Sequence, residues 1–150
     1  MRNNQDFVIR PMEQSDLASV AAIEADNFSM PWSEQGFLEA IQNEHNVFLV
    51  LEKKDEILGY CGAYVVCGEA DITNVSVKPS VQNFGFGSAL LDAMIQKLMG
   101  AGVQAVTLEV RKSNAAAIHL YQKKGFVSEG VRPDFYEKPL EDAVIMWRRS

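Results

Sequence analysis

The alternation of apolar and polar residues along the 150-residue chain predicts an α/β fold. Apolar runs separated by short turns are typical of strands, and apolar residues spaced three or four apart are typical of amphipathic helices. The predicted strands cover residues 7–10, 47–51, 57–66, 70–77, 103–110, 126–131 and 143–147. The predicted helices run from 15 or 16 to 27, from 33 to 41, from the glycines at 85 and 87 to about 99, and from 114 to 124. We therefore expect one domain over residues 1–150, with a mixed, mostly antiparallel sheet flanked by helices.

The turn that follows the predicted strand 70–77 is typical of a phosphate site. Gly85 and Gly87 precede a helix there, and glycine lets the backbone approach an anion and adopt positive φ. The first helical turn adds unpaired N–H groups and the positive end of the macrodipole. The turn lacks the Gly-Lys-Ser/Thr of a P-loop and the third glycine of a dinucleotide fingerprint. It therefore predicts an anion site that is built from backbone groups.

A second motif lies in residues 108–126, which read LEVRKSNAAAIHLYQKKGF. Together with QNFGFG at residues 82–87, this segment resembles the GCN5-related N-acetyltransferase (GNAT) family and, within it, the RimI group. Pro31-Trp32-Ser33 and EDAVIM at residues 141–146 add to the resemblance, which extends from about residue 7 to about residue 146. The resemblance implies transfer of an acetyl group from acetyl-CoA to a protein N-terminus. In the RimI group the acceptor is the N-terminal alanine of a small-subunit ribosomal protein.

The resemblance also implies which residues bind the cofactor. The backbone of Val75-Ser76-Val77 would pair with the pantetheine arm much like an added strand. Asn114 would cap the helix that follows it and also contact the cofactor. The residues implied for the diphosphate are Asn83, Phe84, Gly85, Phe86, Gly87 and Ser88.

The phosphate turn departs from the family pattern in its charge. Relatives often carry arginine at the positions of Asn83 and Ser88, so this turn offers no cationic side chain to the phosphates. Backbone amides and the helix dipole would have to suffice, with Lys78 or Lys112 as further sources of charge.

Glu109 is the candidate general base. Residues 106, 108 and 110 share the apolar face of the predicted strand, so Glu109 points to the other face, at a position where an acid is uncommon. Partial burial would raise the pKa of its carboxyl toward the range of a base. The alternative is that Glu109 pairs with a cross-strand Lys or Arg on a solvated face.

Tyr121 is the candidate general acid. A phenol with an ordinary pKa of ~10 is protonated at neutral pH and can donate its proton to a leaving group. The resemblance implies that this hydroxyl faces the thioester sulfur of acetyl-CoA. The alternative is core packing, which is the usual role of an aromatic residue at helical spacing.

Trp32 and Tyr136 are candidates for binding the acceptor peptide, because the resemblance places both in substrate loops. The alternative, that these aromatics only anchor surface loops, stays open. Glu24 could meet a basic substrate or could be a solvated helix charge.

The net charge of −6, from 20 acidic and 14 basic residues, argues against non-specific nucleic-acid binding. It fits a cationic acceptor, or solubility alone.

No apolar run has the length of a membrane span, and residues 1–6 lack a signal-peptide pattern. We therefore expect no membrane association and a cytoplasmic location. Cys61 and Cys67 are an even number of residues apart in one predicted strand, so both point to the same face, and we interpret them as reduced, buried thiols. The sequence shows no metal-ligand spacing, so we expect no metal.

Three functions remain open from the sequence. The first is an N-terminal protein acetyltransferase, which the Pro-Trp-Ser segment and the pair of Glu109 and Tyr121 favour. The second is a GNAT enzyme for a small amine such as a polyamine, which would need a closed pocket rather than an open groove. The third is a non-catalytic acyl-CoA-binding module, which would need neither Glu109 nor Tyr121.

Overall fold

The computed structural model describes residues 6–149 and contains seven strands and four α-helices within that range. The strands are β1 (Val8–Pro11), β2 (Val47–Lys53), β3 (Glu56–Val66), β4 (Glu69–Val77), β5 (Ala105–Arg111), β6 (Val127–Glu137) and β7 (Leu140–Arg149). The helices are α1 (Leu17–Asn27), α2 (Glu34–Gln42), α3 (Phe86–Gly100) and α4 (Ala115–Lys123). Short 3-10 helices, Gln14–Asp16 and Pro79–Phe84, precede α1 and α3. The predicted order of strands and helices is confirmed.

All seven strands form one mixed sheet in the order β1-β2-β3-β4-β5-β7-β6. The first four strands are an antiparallel meander, as their short turns predict. β4 and β5 are parallel neighbours, and the chain between them forms α3. β7 lies between β5 and β6 and is antiparallel to both. The predicted α/β class, with a mostly antiparallel sheet flanked by helices, is confirmed.

Apolar clusters lie on both faces of the sheet. On the first face, which we call the α3 face, α3 packs against β2, β3 and β4, and α4 adds partly buried side chains. The predicted apolar stripe of α3 is buried there and consists of Leu90, Leu91, Met94, Ile95 and Leu98. Full burial of such side chains contributes roughly 1.5–3 kcal/mol each, so this stripe holds α3 firmly against the sheet.

The second face, the α1 face, is covered by α1 and α2. Val20 and Ile23 of α1 and Phe37 of α2 pack against Phe48 of β2 and Tyr60 of β3. The Ser33 side chain accepts a hydrogen bond from the third residue of α2, as predicted for the cap of that helix.

Gly62 of β3 is required by close packing, and it also lies beside an irregularity in the pairing of β3 with β4. A Cβ atom at Gly62 would lie 2.1 Å from the Phe48 ring, which crosses the strand at this point. Sequence alone suggested only that this glycine weakens the strand or marks a bend. The ring occupies the space that any side chain would need.

Two predictions near the ends of strands are wrong. Residues 134–136, expected in a loop, belong to β6, where the pairing with β7 is irregular between Arg132 and Tyr136 and Asp134 has a φ of 53°. Cys67, expected to be buried beside Cys61, lies in the turn after β3 and is exposed. Strand alternation therefore does not apply to Cys67.

We expect Gly62→Ala to lower the free energy of unfolding by about 1–3 kcal/mol, because the new methyl group displaces the Phe48 ring. The change is measured by urea denaturation. Gly100→Ala is the matched control, because a Cβ atom at this position meets nothing within 4 Å. Alanine also favours the helix, so the free energy of unfolding stays equal or rises slightly. Equal stability of Gly62→Ala and the native protein would contradict the packing argument.

Candidate active site

The central feature of the site is a gap between β4 and β5. These parallel strands pair only at three positions, from Glu69 with Ala105 to Asp71 with Thr107. Beyond them β4 continues to Val77 without a partner residue in β5, while β5 pairs with β7 on its other edge. The β4 backbone that faces the gap is therefore available to a bound molecule.

The three residues expected to pair with the cofactor lie along this gap. Val75 and Val77 turn their side chains to the α3 face, and Ser76 turns its side chain to the α1 face. An irregular pairing with β3 between Gly62 and Ala63 reverses the alternation in β4 just before them. Buried side chains on both faces leave only the backbone of this segment directed into the gap.

The phosphate turn begins α3 as the glycine pattern predicts. Gly85 has a φ of 83°, in the left-handed region, and occupies the cap position of the helix. It has no side chain to satisfy the first-turn amides, and the Ala89 amide is the first to bond back, to the Gly85 carbonyl at 3.1 Å. The amides of Phe86, Gly87 and Ser88 are thus the free first-turn donors of a 15-residue helix.

Gln82 braces this turn against the end of β4. Its side-chain amide donates to the Val77 carbonyl at 3.2 Å and to the Asn27 side chain at 3.3 Å. Asn27 in turn donates to the same Val77 carbonyl at 2.9 Å. These contacts join α1, β4 and the phosphate turn, so the turn is held in place by side chains that do not themselves face it.

The side chains of the turn divide into buried and exposed ones. Phe86 is 1% exposed and packs edge-on against Phe7, so only its backbone amide can contact a ligand. Phe84 is 56% exposed, and Asn83 is exposed as well. Lys78, considered as a source of positive charge, forms an ion pair with Glu56 at the start of β3.

Asn114 is the N-cap of α4, the helix that follows β5 and contains Tyr121. The Asn114 side chain accepts a hydrogen bond from the Ala117 amide at 3.1 Å, as expected for a helix cap. Tyr121 packs against the α3-face cluster, with its ring centroid 5.8 Å from that of Phe126. Burial raises the pKa of its phenol, so the hydroxyl is protonated at neutral pH. Tyr121 therefore packs in the core and also has the protonated hydroxyl that a general acid needs.

Glu109 lies on β5 with its side chain on the α1 face, as its alternation with Leu108 and Val110 predicts. Burial raises the pKa of its carboxyl, the charge of Asp71 raises it further, and the charge of Arg132 lowers it. The Arg132 Nη2 atom is 3.6 Å from the Glu109 Oε2 atom, so an arginine partner from another strand is also present. Because the Arg132 side chain is 54% exposed, solvent weakens this ion pair.

Arg111 holds the β6–β7 hairpin over the same face. Its guanidinium lies 4.3 Å from the centre of the Tyr136 ring and 3.1 Å from a Glu141 oxygen. The same group donates to the carbonyls of Pro139 at 2.9 Å and Lys138 at 3.2 Å. A planar fork of donors can satisfy all of these partners at once, which a lysine cannot do.

Tyr136 is brought close to Glu109 by this hairpin. Burial raises the pKa of Tyr136 to about 12, and the charge of Glu109 contributes to the rise. The tyrosine expected in the acceptor groove therefore lies on the same side of the sheet as the candidate base.

Trp32 is anchored in the α1-face cluster rather than free in a loop. Its ring lies 5.1 Å from Phe37 and 6.2 Å from both Phe48 and Tyr64, measured between centroids. Trp32 and Tyr64 also line a groove of about 1140 Å³ along α2 and the ends of β2 and β3. Neither Glu109 nor Tyr121 lines this groove, so it is distinct from the gap between β4 and β5.

Glu24 is a buried structural residue, and both earlier interpretations of it are wrong. It is 3% exposed, so it is neither a solvated helix charge nor open to a substrate. Its carboxylate accepts hydrogen bonds from the Trp32 amide at 3.0 Å, from the Asn74 side chain at 3.3 Å and from the Tyr60 hydroxyl. Glu24 thereby fixes the segment between α1 and α2 to the sheet.

Sequence reasoning did not identify two charged residues of the site. Arg111 is a strand residue whose partners lie in a hairpin much later in the chain. Asp71 is an acid at the start of a strand, and its neighbour Glu109 comes from a different strand. The strand parity that identified Glu109 also applies to Asp71, but only the pairing of β4 with β5 brings the two residues together.

Comparisons with known proteins identify the family of this chain. Residues 17–126 match the acetyltransferase (GNAT) family. The chain belongs to this family. The ribosomal protein bS18-alanine N-acetyltransferase of Escherichia coli is 37% identical over 140 residues, which are 92% of this chain and 94% of that protein. Its counterpart in Haemophilus influenzae is 37% identical over 142 residues, covering 93% and 96%. The chain is an acetyl-CoA-dependent N-acetyltransferase.

Solved structures share the same architecture. The crystal structure of the ribosomal-protein-S18-alanine N-acetyltransferase from Escherichia coli superposes with a TM-score of 0.89 at 36% identity, covering 95% of this chain and 93% of that one. The PaiA N-acetyltransferase from Thermoplasma acidophilum in complex with coenzyme A, at 19% identity and a TM-score of 0.78, shares the fold.

Two features are absent from residues 6–149. No helix in that range combines the length and the apolar character that a membrane crossing requires. No group of three or more His, Cys, Asp or Glu side chains in that range is placed to hold a metal ion.

We expect Arg111→Ala to lower the free energy of unfolding by about 1–3 kcal/mol, because it leaves the Lys138 and Pro139 carbonyls without their Arg111 donor and takes one of two donors from Glu141, which keeps only the Ser113 amide. Urea denaturation measures the loss, and amide exchange shows it concentrated in residues 136–141. Lys78→Ala is the control, since its ion pair with Glu56 is exposed and its removal costs less than about 1 kcal/mol. Equal losses in the two variants would show that Arg111 does not organise the hairpin.

Proposed function

We propose that this enzyme transfers the acetyl group of acetyl-CoA to a protein N-terminal amine, namely that of the alanine at the start of ribosomal protein bS18. The relatives at 37% identity carry that activity in their names and match more than nine-tenths of this chain. The observation that carries the proposal is that Glu109 lies on the α1 face of β5, next to the gap, whereas Tyr121 packs into the cluster on the α3 face. Such a placement suits a reaction in which cofactor and acceptor approach from different sides.

The cofactor would lie in the gap between β4 and β5. The backbone of Val75-Ser76-Val77 would pair with the amides of the pantetheine arm, which needs no special side chains. The first-turn amides of α3 at residues 86–88 would bind the diphosphate, with help from the helix dipole. Asn83, Phe84 and the side chain of Ser88 would border the phosphates. Asn114 would contact the cofactor from the start of α4.

Glu109 would prepare the acceptor for attack. An N-terminal amine is largely protonated at neutral pH, and only its neutral form has a lone pair to attack the thioester carbonyl. A carboxylate whose pKa is raised by burial is suited to accept that proton, directly or through one water molecule. The tetrahedral intermediate then forms by a bond between the amine nitrogen and the acetyl carbon.

Tyr121 would assist the departure of coenzyme A. Collapse of the intermediate breaks the bond between carbon and sulfur and leaves a thiolate, to which the Tyr121 hydroxyl donates its proton. The proton lost by the attacking nitrogen restores the phenol through solvent, so that the products are the amide and the free thiol. A phenol with a raised pKa remains protonated throughout the working pH range.

The acceptor peptide would lie on the α1 face, between the Trp32 segment and the β6–β7 hairpin. Tyr136 borders Glu109 on one side, and the aromatic cluster that holds Trp32 borders the face on the other. The net charge of −6 favours approach of a basic protein such as a ribosomal one.

We expect Glu109→Gln and Tyr121→Phe each to lower kcat about a hundredfold or more, because each removes one proton-transfer group. The assay follows thiol release from acetyl-CoA with a peptide of the bS18 N-terminal sequence beginning with alanine. Glu69→Gln, an exposed acid at the start of β4, is the control and keeps native kcat.

Two further acceptors separate this proposal from its competitors. The same peptide with a blocked N-terminus gives no thiol release if the acceptor is the terminal amine. Faster turnover of a polyamine than of the peptide would contradict the proposal and place the enzyme among the small-amine acetyltransferases. Native kcat in both site variants would contradict the assigned proton transfers.

A further inference from the structure

Asp71 lies at the apex of the gap between β4 and β5. It is the last residue of β4 that pairs with β5, opposite Thr107. Alternation with the buried Ala70 and Ile72 places its side chain on the α1 face. Glu109 follows Thr107 by two residues and points to the same face. Side chains in this diagonal relation on neighbouring strands lie about 7–8 Å apart at their Cα atoms, within reach of each other's charge.

The Asp71 carboxylate is incompletely satisfied. Its Oδ1 atom is buried, and no donor in residues 6–149 hydrogen-bonds to it. Burial raises the pKa of Asp71, and the charge of Arg132 partly opposes this rise. An acid that served only to stabilise the sheet would be expected to have its oxygens paired, since an unpaired buried oxygen costs stability.

We propose that Asp71 is a positioning residue of the acetyl transfer, which acts with Glu109 as a carboxylate pair and makes Glu109 a stronger proton acceptor. This inference rests on the proposed role of Glu109 as the base. Two carboxylates in one low-dielectric site resist being ionised together, so the negative charge of Asp71 favours the protonated form of Glu109. The pair then titrates as a coupled unit.

Other charged and titratable groups near Glu109 also act on the pKa of its carboxyl. From β6, Arg132 faces both carboxylates and favours their ionised forms. Tyr136 of β6 stays neutral, and Arg111 of β5 is engaged by the hairpin. Tyr64 of β3 is the register partner of Asp71 and adds a phenol ring rather than a carboxylate beside it.

Thr107 of β5 lies on the same face as Glu109 and carries no charge. Across β7, Ile145 is the register partner of Glu109 and carries no charge. Asp71 is thus the negative charge that opposes Arg132 at this site.

The proton balance of the step is simple. One proton leaves the acceptor ammonium and is held by the carboxylate pair, and the neutral amine attacks. A base with a higher pKa accepts this proton more completely, so Asp71 raises the rate without contact with the reacting atoms. Release of the proton to solvent restores the pair for the next turnover.

The test compares Asp71→Asn with the native enzyme by two measurements. The first is the titration of the Glu109 carboxyl, followed by NMR of ¹³C-labelled glutamate and assigned through Glu109→Gln. The second is the pH profile of kcat with the bS18 peptide. Asp71→Ser is a second variant with the same loss of charge, and Asp26→Asn, an exposed acid of α1, is the matched control.

We expect the midpoint of the Glu109 titration to fall by about one pH unit in Asp71→Asn, because the like charge is gone and Arg132 acts alone. The acidic limb of the kcat profile moves in the same direction, and the plateau falls about two- to tenfold as the base weakens. Asp71→Ser gives the same direction, Arg132→Gln moves the midpoint upward, and Asp26→Asn leaves it unchanged.

An unchanged Glu109 midpoint in both Asp71 variants, with the upward shift retained in Arg132→Gln, would overturn the carboxylate pair. The NMR titration needs no turnover, so it decides this point even if the acceptor is not the bS18 peptide. If instead the proposed function is wrong, the native enzyme shows no turnover with the bS18 peptide, while the midpoint of its Glu109 titration still depends on Asp71.

Discussion

The short pairing between β4 and β5 is the constraint on which the site depends. Two parallel strands inside a sheet normally pair along their whole length, because unpaired backbone groups in a protein interior cost free energy. Here the ladder ends after Asp71 and Thr107, and β4 continues to Val77 with one edge open. This edge offers N–H and C=O groups in a regular array. A molecule with amides of its own, such as a pantetheine arm, can complete that array.

The gap stays open because side chains outside it hold both of its walls. On the β4 side, Gln82 and Asn27 bind the Val77 carbonyl, and Glu24 ties α1 to Asn74. On the β5 side, β7 pairs with every residue of the strand, and Arg111 fixes the hairpin that follows. Both walls are thus anchored to neighbouring elements by contacts that lie outside the gap. Such a site is largely formed before its ligand binds, which lowers the ordering cost of binding.

Much of the fold could be predicted because its signals are local. The buried stripe of α3, the Asn114 cap and the strand parity of Glu109 are all properties of a few consecutive residues. The errors arose where contacts between distant segments decide the outcome. Residues 134–136 belong to β6, whose register with β7 resumes at Tyr136 opposite Glu141, and Glu24 is buried because three donors from other segments surround it. Neither fact is visible in the spacing of nearby residues. The proximity of Asp71 to Glu109 likewise follows only from the pairing of their strands.

The most direct test of this account is amide hydrogen exchange with and without acetyl-CoA. If the cofactor completes the open edge of β4, exchange slows at residues 75–77 and at the first-turn amides of residues 86–88, and it stays unchanged in α2 and in the groove beside Trp32. Slowing confined to α2 and that groove, with residues 75–77 and 86–88 unaffected, would contradict the account, because the cofactor would then bind away from the gap.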